Sequence, residues 1–243
     1  MLTITPTLAV YADNIPSSAP RIKLKEGTST NWSGYASISN INNPASNYVT
    51  DVKGSWTVPT LTCGSSTAYS SIWVGIDGYS SGSVEQLGTE QDCSGGHQQN
   101  YVWYEMYPKP SFLISGITIS PGDKMNAEVK YVGNGKYQLS ITDTTTGKSF
   151  NQIFAGKQAK RSSAEWIVEA PWSGGVLPLA NFGTVSFTNS QFKDSAGTPF
   201  AIDGKGIGTY DPITMHDTSG GNSTPSGLVD SGKLSSFSVT YSP

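Results

Sequence analysis

Residues 125–150, MNAEVKYVGNGKYQLSITDTTTGKSF, decide the fold. The stretch is rich in Val, Ile, Thr and Tyr, residues that suit a pleated, half-buried surface. It is interrupted at Asn134-Gly135, a dipeptide that supplies the positive φ angles of a tight hairpin turn, and again at 143–149, DTTTGKS. Strands joined so closely pair antiparallel. Outward along the chain the same texture recurs in YVTDVKGSWTVP (48–59), YSSIWVGIDG (69–78), QNYVWYEMYP (99–108) and FLISGITISPGD (112–123). It continues in AEWIVEAP (164–171), GTVSFTNS (183–190) and LSSFSVTYS (234–242). Each run is bounded by Gly, Pro, Asn or Asp, no long window has a helical period, and no repeat is evident. Many short antiparallel strands at this length imply an all-β domain, a sandwich in preference to a closed barrel.

Composition narrows the function classes. The 243 residues suffice for one large core. Charged residues make up 14%, below the roughly 25% of average soluble domains, so the surface is polar through Ser, Thr, Gly and Asn. A net charge of -3 offers no basic patch for nucleic acid, and no run approaches the ~18 apolar residues of a membrane span. Neither nucleic acid nor membrane is expected as a partner.

Cys63 and Cys93 match no zinc pattern. A single disulfide is the preferred reading, with two buried free thiols as the alternative. The first residues, MLTITPTLAVYA, are mostly uncharged and resemble the remnant of a signal sequence, which supports export. The following segment, DNIPSSAPRIKLKEGTST, is Pro/Ser-rich and then basic. Residues 1–28 are therefore expected to form a leader or linker outside the core, and residues 29–243 the domain.

Alternation along a strand sorts side chains onto two faces. Trp73 and Asp77 share one, opposite the aliphatic Ile72, Val74 and Ile76; Trp103, Glu105 and Tyr107 share another, opposite Val102, Tyr104 and Met106. Gln86 and Glu90 alternate away from Glu85 and Leu87, while Glu165 lies with Ile167 and Glu169, opposite Ala164, Trp166 and Val168. Several strands thus offer one face of tryptophans mixed with carboxylates and a glutamine. A solvated face rarely needs indoles, whereas a groove for an extended polymer does. Other constellations fit less well. GYSSG (78–82) matches G-x-S-x-G but lies in a turn between strands rather than before a helix, and LVDSGK (228–233) has no second Asp-Ser-Gly copy. His97 and His216 are the only histidines for a triad.

In order, TNWSGYA, SWTVPT, IWVGIDG, VEQLGTE, WYEMYP, GITISPGDKM, TTTGKSF, SAEWIVEAP and FGTVSFTN resemble the glutamic peptidases, the eqolisin family, from about Asn31 to Tyr241. The resemblance implies two packed antiparallel sheets of about seven strands each, concanavalin- or lectin-like, and a cofactor-free endopeptidase active at acid pH through a Gln/Glu dyad. Carried over, the dyad falls on Gln86 and Glu165, with Trp73, Asp77, Trp103 and Glu105 as substrate-binding residues. Tyr101 stands where fungal members have an aspartate, Glu85 replaces an aliphatic residue, and the two cysteines point to a prokaryotic branch. The basic RIKLKE could cover an acidic groove, as the end of a propeptide or as a plain linker.

In this reading Glu165 takes a proton from the attacking water and returns it to the leaving amine, while Gln86 donates to the oxyanion. The expected partners are polypeptide substrates of a secreted monomer. A non-catalytic carbohydrate-binding sandwich and a glycoside hydrolase using Glu105 and Glu165 remain as alternatives.

Overall fold

The computed structural model describes residues 16–156 and 158–243. The signal-sequence reading of residues 1–12 lies outside them. In chain order the strands are β1 Lys23–Lys25, β2 Thr28–Ser29, β3 Trp32–Ile38, β4 Val49–Thr57, β5 Ala68–Ile76, β6 Val84–Ser94, β7 His97–Tyr107, β8 Phe112–Leu113 and β9 Lys124–Gly133. They continue with β10 Lys136–Asp143, β11 Lys148–Ala155, β12 Ser163–Glu169, β13 Thr184–Asp194, β14 Pro199–Phe200, β15 Thr209–His216, β16 Asn222–Pro225, β17 Val229–Ser231 and β18 Leu234–Ser242. The hairpins expected in 125–150 form as β9–β10–β11, with Asn134 at φ 52° in the first turn.

Two ladders emerge from the pairings. One runs β15–β3–β12–β5–β6–β7–β8, the other β11–β10–β9–β4–β13–β18–β16–β15. Strand β15 belongs to both: Thr209–Ile213 pair with β3, and Met215 and His216 with β16. The all-β expectation therefore holds, but the ladders are one sheet curled on itself, antiparallel except where β15 runs parallel to β2. Between the ladders lies the main core, in which Ile72, Val74, Leu87, Trp166 and Val168 meet Trp56, Val129, Leu139, Phe187 and Phe237. Cys63 and Cys93 are disulfide-bonded, as preferred from the sequence.

Residues 16–28 differ from expectation. They do not hang outside the core but lie packed across the outer face of the first ladder. Ser17 forms an antiparallel bridge with Trp172, Ser111 donates to the Pro16 carbonyl at 3.1 Å, and Arg21 ion-pairs with buried Asp211 at 3.1 Å. Charge and backbone donors in this segment find partners on the fold that the segment's composition alone does not disclose.

Candidate active site

Register places the expected residues on one face in three rows. Pairings run Glu105–Gln86–Gly75–Glu165–Ala36–Asp211 in the first row and Trp103–Gly88–Trp73–Ile167–Gly34 in the second. The third is Tyr101–Glu90–Ser71–Glu169–Trp32. Residues directly opposite on antiparallel strands point the same way, so the alternation read from sequence is correct for every member.

Trp73 organises this face because two neighbours lack side chains. A Cβ on Gly88 would stand 2.2 Å from the Ile72 carbonyl and 2.6 Å from the Trp73 Cβ; one on Gly75 would stand 2.9 Å from Trp73 Cζ3. The indole therefore reaches over Gly75, between Gln86 and Glu165, while its Nε1 donates to Glu169 Oε2 at 2.9 Å. Trp32 meets it edge-on with ring centroids 4.9 Å apart. Both Trp73 and Trp103 are buried rather than exposed, in a cluster with Trp32, Ile167 and Ile213.

The expected dyad is not in contact. Gln86 and Glu165 lie two strands apart, roughly 10 Å between backbones, with the Trp73 ring above the intervening glycine. Gln86 Nε2 instead donates to Glu105 Oε2 at 2.7 Å. Glu165 is buried with neither carboxylate oxygen hydrogen-bonded. Burial pushes its pKa well up, the nearby Ser163 hydroxyl opposes this, and the charges of Asp77 and Glu85 add to the rise, which favours the neutral form. Nor do Glu105 and Glu165 fit a glycosidase pair: three strand spacings, roughly 14 Å, separate their backbones, against ~5–9.5 Å between carboxyl groups in such enzymes.

Asp77 has a different task from the one expected. Its Oδ2 accepts the amides of Lys160 and Arg161, both at 2.7 Å, and its Oδ1 accepts the amide and hydroxyl of Ser162 at 2.9 and 2.7 Å. With four donors from the loop before β12, the carboxylate is committed to holding that loop, and none of it is left for a substrate.

Glu169 is the carboxylate around which donors gather. Oε1 accepts the Ala19 amide at 2.9 Å and Asn31 Nδ2 at 3.3 Å, and Oε2 accepts Trp73 Nε1. Burial raises its pKa to about 8, against the opposing pull of the Ala19 amide, Ser18, Trp73 and Asn31. Burial raises Glu105 as well, followed by the charge of Glu169; Gln86, the Ser17 side chain and the Ser18 backbone offset part of this. Extended chain at residues 17–19 thus lies against Glu105 on one side and Glu169 on the other. Glu90 in the third row and Asp92 two residues beyond it are raised mainly by burial, Asp92 to about 6, and Tyr101 donates to Asp92 at 3.2 Å. Among the described residues no group of three or more His, Cys, Asp or Glu could hold a metal ion, and no helix is long and apolar enough to cross a membrane.

Sequence reading places Glu169 on this face without a partner and RIKLKE (21–26) as a candidate cover of an acidic groove, but it misses Asn31, Ser111, Asp211 and residues 16–20. No local pattern marks those, since their role comes from contacts across the chain.

Comparisons with known proteins follow this geometry. Residues 30–235 match the Peptidase A4 family. Aspergillopepsin-2 of Aspergillus niger is 32% identical over 213 residues, spanning 76% of this chain and 73% of that protein. A crystal structure of scytalido-glutamic peptidase with a transition state analog inhibitor superposes with a TM-score of 0.70 at 26% identity, covering 88% of this chain and 98% of that one. The structure of SCP-B, a member of the eqolisin family in complex with the tripeptide Ala-Ile-His, gives 0.65 at 25% identity over 88% and 98%.

Proposed function

Since the chain belongs to the peptidase A4 family, we propose that it is a secreted, monomeric acid endopeptidase that cleaves polypeptides with a glutamine and a glutamate acting on one water. Its curled sheet is read as the concanavalin-like sandwich of the eqolisins. The observation that carries the reading is the peptide segment 17–19 lying between Glu105, which Gln86 contacts, and Glu169.

Of the two glutamates on β12, Glu165 shares the register row of Gln86, whereas Glu169 lies four residues further along the strand in the row of Glu90. Glu169 is engaged by Ala19, Asn31 and Trp73, while the Glu165 oxygens have no committed partner and are available to a water. In the proposed mechanism Glu165 takes a proton from the attacking water and passes it to the departing amine, with no covalent intermediate. Gln86 donates an amide N–H to the oxyanion, and Glu105, by accepting the other N–H, fixes which way that amide points. Asn31 and Trp73 hold the Glu169 carboxylate in place. Burial favours the neutral form of Glu165, and admission of water with the substrate relieves that burial and restores a usable base. Residues 16–28 are read as the end of a leader that covers the groove until displaced.

Incubating the protein with denatured casein from pH 2 to 7, with and without pepstatin, tests the reading. Acid, pepstatin-insensitive cleavage that disappears in Glu165→Gln is expected; no cleavage at any pH after release of residues 1–28 overturns it.

A further inference from the structure

Residues 17, 19 and 21 show how the groove grips an extended chain. Ser17 exchanges both backbone hydrogen bonds with Trp172, at 3.1 and 2.8 Å. Ala19 donates its amide to Glu169 at 2.9 Å and its carbonyl accepts Trp32 Nε1 at 2.9 Å. Arg21 donates its amide to the Gly78 carbonyl at 3.1 Å. Every second residue is held through its main chain, in the manner of an added strand, and such contacts ignore side-chain identity.

Arg21 differs from the other two in being held through its side chain as well. Its Nη1 lies 3.1 Å from Asp211 Oδ2, both side chains being nearly inaccessible, at 0% and 4%. The guanidinium carbon stands 4.6 Å over the Tyr79 ring, and Tyr79 donates its hydroxyl to Asp211 at 2.9 Å. Nη2 donates to the carbonyls of Lys25 and Thr28, each at 3.1 Å. The Gly27 amide, 3.4 Å from Asp211 Oδ2, closes the socket. Among the described residues Arg21 is the one cation within ion-pair distance of Asp211.

We propose that Asp211 and Tyr79 form a substrate subsite of this groove that selects a basic side chain, two residues C-terminal to the residue whose amide meets Glu169. Asp211 closes the same row that begins with Glu105 and Gln86, so the socket is part of the groove floor. A carboxylate buried there without a counter-charge is costly, and a neutral side chain cannot relieve it. An arginine or lysine can, while Gly78 takes the same residue's amide. The inference rests on the peptidase reading for the word substrate, and on the Arg21 contacts for the chemistry.

The test uses the chain after release of residues 1–22, which empties the groove and keeps Gly27 and Thr28 at the socket. Binding of N-acetyl-Ser-Ser-Ala-Pro-Arg-Ile-amide is measured by calorimetry against the same peptide with Gln for Arg. The arginine peptide is expected to bind about tenfold more tightly, and Asp211→Asn in the same background is expected to bring the two within about twofold. Equal binding of both peptides, binding of neither, or a preference that survives Asp211→Asn overturns the subsite. Arg21→Ala with added methylguanidinium gives a second readout: the ligand should raise the melting temperature, and it should not do so once Asp211 is Asn. Casein cleavage by a chain without arginine preference would sink the subsite and leave the peptidase reading standing. Arginine preference without cleavage of any substrate would do the reverse.

Discussion

The Trp73 indole reaches in two directions: its Nε1 donates to Glu169 Oε2 at 2.9 Å, and its six-membered ring lies over Gly75, between Gln86 and Glu165. One side chain thereby reaches from the row of Gln86 and Glu165 to Glu169, four residues further along β12.

The two glutamates of β12 predict different outcomes for chemically identical substitutions. Glu165→Gln should abolish casein cleavage, whereas Glu169→Gln should act mainly through the groove contacts to Ala19, Asn31 and Trp73 and leave measurable turnover. Gln86→Ala should lower kcat by roughly 10²–10³, the usual cost of one oxyanion donor. Full activity in Glu165→Gln with loss of activity in Glu169→Gln would move the base to Glu169.

Stability should rise as the solution is acidified. Glu169 titrates near 8 in the folded chain and near ~4.3 when unfolded, and burial also raises Glu85, Glu90, Glu105 and Glu165. Between those values the folded state keeps protons that the unfolded state has lost, so this contribution is fully present below about pH 4 and is lost as pH climbs through 8. The melting temperature should therefore be higher at pH 5 than at pH 8, and Glu169→Gln should flatten the difference. A melting temperature that climbs steadily from pH 5 to pH 8 would contradict it.

Asp77 separates a structural carboxylate from a substrate contact. Asp77→Ala removes the acceptor of four loop donors, one of them a buried amide, and should cost at least about 2 kcal/mol in urea unfolding. A variant that keeps wild-type stability and loses only KM would instead make Asp77 a substrate residue.

Gly88→Ala sets a new methyl against the Ile72 carbonyl and Trp73 Cβ. Backbone and indole must both shift, which should destabilise by roughly 1–3 kcal/mol and move the tryptophan fluorescence. An unchanged spectrum and midpoint would show that the indole does not need this seat.

Opening Cys63–Cys93 by substitution with alanine should cost about 3–4 kcal/mol through the 30-residue separation it closes. Unfolding in denaturant, with and without reductant, checks this.

Local chemistry in the chain determined much of this molecule by itself. A period of two assigns faces wherever a strand forms, which is why Trp73, Gln86, Trp103, Glu105 and Glu165 were correctly gathered on one side, and Asn134-Gly135 fixed the β9–β10 turn. Side-chain face is a property of neighbours in sequence. Which carboxylate on that face receives hydrogen bonds is not: Glu169 owes its donors to Ala19, 150 positions away, to Asn31 and to Trp73, while Glu165, four residues earlier on the same strand, finds none. Asp77 likewise reads as available from the sequence, whereas the loop at 160–162 closes on it, and the sequence leaves residues 21–26 between a groove cover and a plain linker without naming Asp211 as the partner of Arg21. Only the tertiary structure decided these, because a buried charge or amide takes its partner from whichever distant strand the curled sheet brings within about 3 Å, and no spacing along the chain records that meeting.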